Sequence, residues 1–62
     1  MEITKDMLIG ELIRHKPEAV DTLLSFGLGC IGCPASQMES IEEAAMVHGI
    51  DLDALLKALN EA

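Results

Sequence analysis

Leu52, Leu55, Leu56 and Leu59 recur at i, i+3, i+4 and i+7 near the end of the chain, the spacing that lines one face of an α-helix. Asp51 stands immediately before them, where a carboxylate caps the first free backbone N–H groups. This is the clearest amphipathic signal in the sequence, and similar stripes recur upstream. Leu8, Ile9, Leu12 and Ile13 predict a first helix that Thr4 or Asp6 caps and that runs to about His15, with Glu11 and Arg14 facing water. Ile3 is an isolated apolar residue that pins the terminus to the core. Gly10 inside this helix costs up to about 1 kcal/mol relative to Ala, so it marks close packing of a neighbouring backbone rather than a break.

Lys16-Pro17-Glu18 opens a second helix, because proline suits a first helical turn and disfavours helical geometry in the residue before it. Val20, Leu23 and Leu24 form its buried face, Glu18 and Asp21 sit near its positive end, and Gly27 ends it as a left-handed residue. Further on, two capping boxes compete, one starting at Ser36 and reaching Glu39, the other starting at Ser40 and reaching Glu43. The preferred reading is a short helical turn followed by a regular helix from about Ile41 to His48. Ile41, Ala44, Ala45 and Val47 or His48 cover its inner side, and Gly49 terminates it. Only one of the 62 residues is aromatic, Phe26, although 50% are hydrophobic. A core of Leu, Ile, Val, Met and Ala favours a helical bundle over a sandwich or barrel. The fold class is therefore all-α, with four to five short helices in a single domain over residues 1–62. A chain of this length buries only about 60% of the surface it exposes when unfolded, so its stability is modest.

Charge narrows the possible partners. Eleven acidic against four basic side chains give a net charge of −7, which disfavours nucleic acid and anionic membrane surfaces, both of which need clustered Lys and Arg. No apolar run approaches the roughly 20 residues of a membrane-spanning helix, and Met1 to Asp6 lacks the pattern of a signal peptide. A cytoplasmic location is expected, where thiols are normally kept reduced.

Between the second helix and the next lies Gly27-Leu28-Gly29-Cys30-Ile31-Gly32-Cys33-Pro34, which holds both cysteines and three of the five glycines. The Cys-x-x-Cys spacing has three readings. As a structural staple it is poor: in the chain-entropy model a bridge across about four residues contributes roughly 2 kcal/mol, against about 3 for fifteen. As a redox dithiol it has two sulfurs close enough to exchange. If Pro34 takes the first helical position, Cys33 becomes an N-cap near unpaired N–H groups, which lowers a thiol pKa. No Lys or Arg occurs from Pro17 to Leu56, while Glu39, Glu42 and Glu43 follow closely, so only modest activation is expected. As a metal site, Cys30 and Cys33 supply half of a tetrahedral zinc or iron-sulfur set, with His15 and His48 as the remaining weak candidates. Four cysteines meeting across a homodimer would complete such a set. Each histidine also suits a helix C-terminus, where positive charge is favourable.

Other features have plainer readings. Met7, Met38 and Met46 are adaptable core filler or solvent-edge residues, since their spacing is irregular. Glu42-Glu43 is a solvated helix face. No phosphate loop, catalytic triad order or dinucleotide fingerprint is present.

Phe26-Gly27-Leu28-Gly29-Cys30-Ile31-Gly32-Cys33, with Pro17-Glu18 before it and Ser40-Ile41-Glu42-Glu43-Ala44-Ala45 and His48-Gly49-Ile50-Asp51 after it, resembles the hybrid-cluster-protein-associated redox disulfide domain. A similar domain forms the N-terminal part of iron-sulfur cluster repair di-iron proteins. The resemblance covers nearly the whole chain and implies a bundle of four or five short helices with a redox role for Cys30 and Cys33. The histidine-rich portion that follows the domain in the repair proteins has no counterpart here, so a di-iron centre is not expected.

The leading expectation is a reversible Cys30–Cys33 dithiol/disulfide module, without a cofactor, that serves a partner redox or iron-sulfur protein. Two arguments compete over the attacking thiol: the N-cap position favours Cys33, whereas exposure before Gly32 favours Cys30, which is taken as the attacking thiol. The alternatives are a zinc or iron-sulfur binding module using the same cysteines, and a plain protein-interaction domain. No catalytic constellation beyond the dithiol is legible. Leu28 and Ile31 are read both as anchors of the loop and as an apolar rim around the thiols that serves as a docking surface or a homodimer contact.

Overall fold

A computed structural model of the chain describes residues 2–29 and 34–62. Its elements run α1 (Ile9–His15), α2 (Ala19–Ser25), α3 (Pro34–Gln37), α4 (Ile41–His48) and α5 (Leu52–Glu61). No strand occurs among the described residues, and the all-helical expectation holds. The apolar stripe of α5 behaves as its spacing requires. Leu55 and Leu59 are fully buried and Leu52 and Leu56 pack against the core, while Asp51 caps the helix by accepting from the Asp53 N–H at 3.1 Å. This helix lies against α2 and α4, and α1 lies against α2 and α3. Ile9, Leu12, Ala19, Leu23, Leu28, Ile41, Ala44 and Ala45 complete the interior around it, with Ile3 from the N-terminal segment.

The start of α1 differs from the expectation. Neither Thr4 nor Asp6 caps it; the N-cap position is Leu8, which has no side-chain acceptor. The reason is tertiary. Leu8 lies extended beside an extended Ser40 in an antiparallel bridge, flanked by the Ile9 N–H donating to the Glu39 carbonyl and the Ile41 N–H to the Met7 carbonyl, both at 2.9 Å. These bonds hold the chain out of helical geometry until Ile9, and Glu11 compensates by accepting from the Leu8 N–H at 3.2 Å.

The same arrangement accounts for the first N–H groups of α4, which a helix cannot satisfy internally. Ile41 donates to the Met7 carbonyl and Glu42 to the Lys5 carbonyl, and Ala44 then makes the first bond within the helix, to the Ser40 carbonyl. Glu43 donates to Ser40 Oγ, and its carboxylate accepts from the Ser40 N–H at 3.0 Å. Of the two competing capping boxes, the one at Ser40 is formed. The short turn expected before it is α3.

Helices α2 and α4 end alike. Gly27 has φ +93 and Gly49 φ +67, the left-handed region that side chains with a Cβ avoid. In α2 the Leu28 N–H reaches back to the Leu23 carbonyl and the Gly27 N–H to the Leu24 carbonyl. In α4 Ile50 reaches Ala45 and Gly49 reaches Met46. Both pairs have the Schellman pattern, which satisfies carbonyls the helix leaves open. Helix α2 itself begins at Ala19, two residues later than Pro17, because residues 17 and 18 form a turn in which the Ala19 N–H donates to the Lys16 carbonyl and the Val20 N–H to the Pro17 carbonyl.

Three burial expectations are corrected. Leu24 is 49% exposed, since it lies a further 100° or so around α2 from Leu23 and points past the core. Val47 is 72% exposed, six residues after Ile41 and therefore off the stripe that Ile41, Ala44 and Ala45 define. His48 does fall on that stripe, but it is the last residue of α4 and is exposed.

Candidate functional site

Cys30 and Cys33, with Ile31 and Gly32 between them, lie outside the described residues, and with them the Cys-x-x-Cys loop and the N-cap role expected of Cys33. The structure defines what bounds them. On one side the Schellman turn of α2 puts Leu28 into the core at 3% exposure, followed by exposed Gly29. On the other, Pro34 is the first residue of α3, the place where its fixed φ suits a helix and its missing N–H costs nothing. Leu28 is therefore the anchor expected of it, and its burial overturns half of the expected apolar rim, since a side chain closed off under the α2 turn cannot serve as a docking surface. The other half, Ile31, lies outside the described residues.

The histidines do not gather. His15 closes α1 and His48 closes α4, both exposed, in the terminal positions that suit a cation. Among the described residues no three His, Cys, Asp or Glu side chains converge as a metal set.

Helix α3 is held on α1 by a close approach at Gly10. A Cβ there would stand 3.1 Å from the Gln37 carbonyl oxygen and 3.2 Å from Gln37 Cβ, so glycine is what admits α3, as its place in the helical stripe predicts. Beside this contact the two helices leave an open cleft of about 320 Å³ whose walls include Leu8, Glu11 and Arg14 from α1 and Pro34 and Met38 from the α3 region. Met38 is 76% exposed and Leu8 37%. Sequence reasoning makes Met38 only core filler or solvent edge, and places Leu8 on the buried stripe. Nothing in the local pattern signals the cleft, because it exists only where α3 folds back on α1. It begins at the residue bonded to Cys33.

The acidic setting expected for the thiols involves Cys30 and Cys33, which lie outside the described residues; two of the acidic residues it invokes are on α4. Glu42 and Glu43 lie in its first turn, and Glu42 pairs with Lys5 at 3.7 Å in an exposed contact that contributes little to stability.

Two comparisons bear on identity. The sequence profile of the domain of unknown function DUF1858 matches residues 3–56. The chain belongs to the DUF1858 family. Among solved structures, an uncharacterised protein from Clostridium thermocellum is 48% identical, with a TM-score of 0.85 over 98% of this chain and 87% of that one. A solution structure titled as the uncharacterised protein GSU1278 from Methanocaldococcus jannaschii is 39% identical, with a TM-score of 0.88 over 95% of this chain and 81% of that one. A search of curated proteins found no match. The DUF1858 match takes in the cysteine segment and all of α1 to α4, so this helical fold is that of the family. No helix among the described residues is long and apolar enough to cross a membrane.

Proposed function

We propose that this DUF1858 domain is a reversible dithiol/disulfide module acting through Cys30 and Cys33 on a partner redox or iron-sulfur protein. The observation that carries the reading is where the thiols fall along the chain: the only two cysteines share one short segment, bounded by the left-handed Gly27 that ends α2 and by Pro34 at the head of α3. Cysteines placed this way contribute little as a staple and are available for chemistry. The resemblance to the hybrid-cluster-associated redox disulfide domain and to the N-terminal part of the repair proteins supports both the redox role and the class of partner.

The step balances as a thiol–disulfide exchange. The Cys30 thiolate attacks one sulfur of a partner disulfide, and the other partner sulfur leaves as a thiolate. Cys33, after losing its proton, attacks the Cys30 sulfur of the mixed disulfide and releases the second partner thiolate. The domain is oxidised by two electrons and the partner reduced by two. The reverse sequence reduces the domain.

The test is a redox titration of the anaerobically purified protein in glutathione buffers, with free thiols counted by mass spectrometry and metal measured on the same sample. A single two-electron transition, abolished in Cys30→Ser and Cys33→Ser, is the expected result. Stoichiometric zinc or iron would replace this reading with the metal-binding one, and cysteines that neither oxidise reversibly nor hold metal would leave only an interaction domain.

A further inference from the structure

The α1 wall of the cleft carries its charges in an order that suits a copy of itself. Glu11 and Arg14 are neighbours on the exposed side of α1, yet they do not pair with each other. Among the described residues the ion pair is Lys5–Glu42, and Arg14 has no hydrogen-bonding or ionic partner among them. Glu11 gives one oxygen to the Leu8 N–H. Of the three other cations, Lys5 is taken by Glu42, Lys16 donates to the Leu59 carbonyl at 2.6 Å, and Lys57 stands on α5 four residues from Asp53 and from Glu61, with no exposed large apolar side chain on that helix. With eleven acids against four bases, most pairings of this surface with itself would bring carboxylates together. The α1–α3 face is the exception, because it holds one anion and one cation between two exposed apolar side chains, Leu8 and Met38.

We propose that this face is the contact between two copies of the chain. Two α1 helices meet antiparallel about a twofold axis that passes between Glu11 and Arg14, so each Glu11 faces the partner's Arg14 and the apolar side chains of Leu8 and Met38 flank the two ion pairs. The same patch then serves on both sides, as a twofold contact requires. A stable dimer buries roughly 800 Å² per partner, about a fifth of the 3776 Å² this chain exposes. A contact centred on one seven-residue helix is expected to bury less than that, so the association is weak and shows at high protein concentration. The proposal does not depend on the chemistry of the cysteines, and its test is run with the thiols reduced.

Sedimentation velocity from about 10 μM to about 1 mM, a range that brackets weak association, should show a sedimentation coefficient rising towards that of a dimer and falling again when salt is added. Arg14→Glu and Met38→Glu, at exposed positions, should each raise the dissociation constant about tenfold or more while leaving the circular dichroism unchanged. An equimolar mixture of Glu11→Arg and Arg14→Glu should associate where neither does alone, since every facing pair across the axis is then opposite in charge. A monomer at all concentrations overturns the proposal. So does a dimer indifferent to both Arg14→Glu and Met38→Glu, which would place the contact on another face.

Discussion

Asn60 joins the two ends of the chain with one side chain. Its amide oxygen accepts from the Ile3 N–H at 2.8 Å, and its amide nitrogen donates to the Ile3 carbonyl at 3.1 Å and the Leu56 carbonyl at 2.9 Å. Ile3 is thereby held at 2% exposure. Asn60→Ala leaves the peptide groups of Ile3 without these partners and should cost about 1–3 kcal/mol, read as a lower urea midpoint with an unchanged slope. The glycines separate two causes of strain. At Gly49 an added Cβ meets nothing within 4 Å, so Gly49→Ala should cost about 1 kcal/mol from the left-handed backbone alone. At Gly10 the backbone is helical and space is the limit. Gly10→Leu should cost about 1–3 kcal/mol and shift the amide resonances of α3 more than those of α5.

Among the helices, α4 shows how a local signal and a tertiary one cooperate. Its third N–H is satisfied by Ser40 Oγ, but its first two are satisfied by carbonyls from the N-terminal segment. Ser40→Ala should therefore cost about 1 kcal/mol without abolishing the helix. The serine of the unused box is the control: Ser36→Ala should change stability by less than about 0.5 kcal/mol, measured in the same urea unfolding series. Equal losses at the two positions would mean that Ser36 also caps. Lys16 acts at the opposite pole, donating to a carbonyl in the last turn of α5 from 43 residues away in sequence, where a cation suits the helix end.

For the molecule as a whole, the Cα radius of gyration is 9.9 Å, and the core is a single aliphatic cluster. A chain of this length has roughly 3–9 kcal/mol of stability at about 0.05–0.15 kcal/mol per residue. Leu55→Ala at the centre of that cluster should cost about 2–5 kcal/mol, enough to leave much of the protein unfolded at 25 °C, seen as lost dispersion in the amide spectrum. The proposed redox role predicts a smaller effect at the cysteines. Reduction of a Cys30–Cys33 bridge should remove no more than about 2 kcal/mol, and Cys30→Ser with Cys33→Ser should keep the helical circular dichroism. Collapse of that double variant would assign the cysteines a structural role and count against a redox module.

The sequence alone determined what neighbouring residues settle among themselves. The stripe of α5, the box at Ser40, the two terminating glycines and the proline at the head of α3 are signals carried within a few residues, because helical periodicity and capping act over three or four positions. Tertiary structure decided the rest. It moved the start of α1 from Thr4 or Asp6 to Leu8, exposed Leu24 and Val47, clamped Ile3 with Asn60 and opened the cleft beside Pro34. Each of these depends on segments far apart in sequence or on which side of a helix finds a partner. The candidate site divides the same way. Its residue types and its two boundaries, Gly27 and Pro34, were legible in order along the chain, whereas the Glu11 and Arg14 face beside it became visible only once α3 had packed on Gly10, since a surface belongs to the arrangement of helices and not to any one of them.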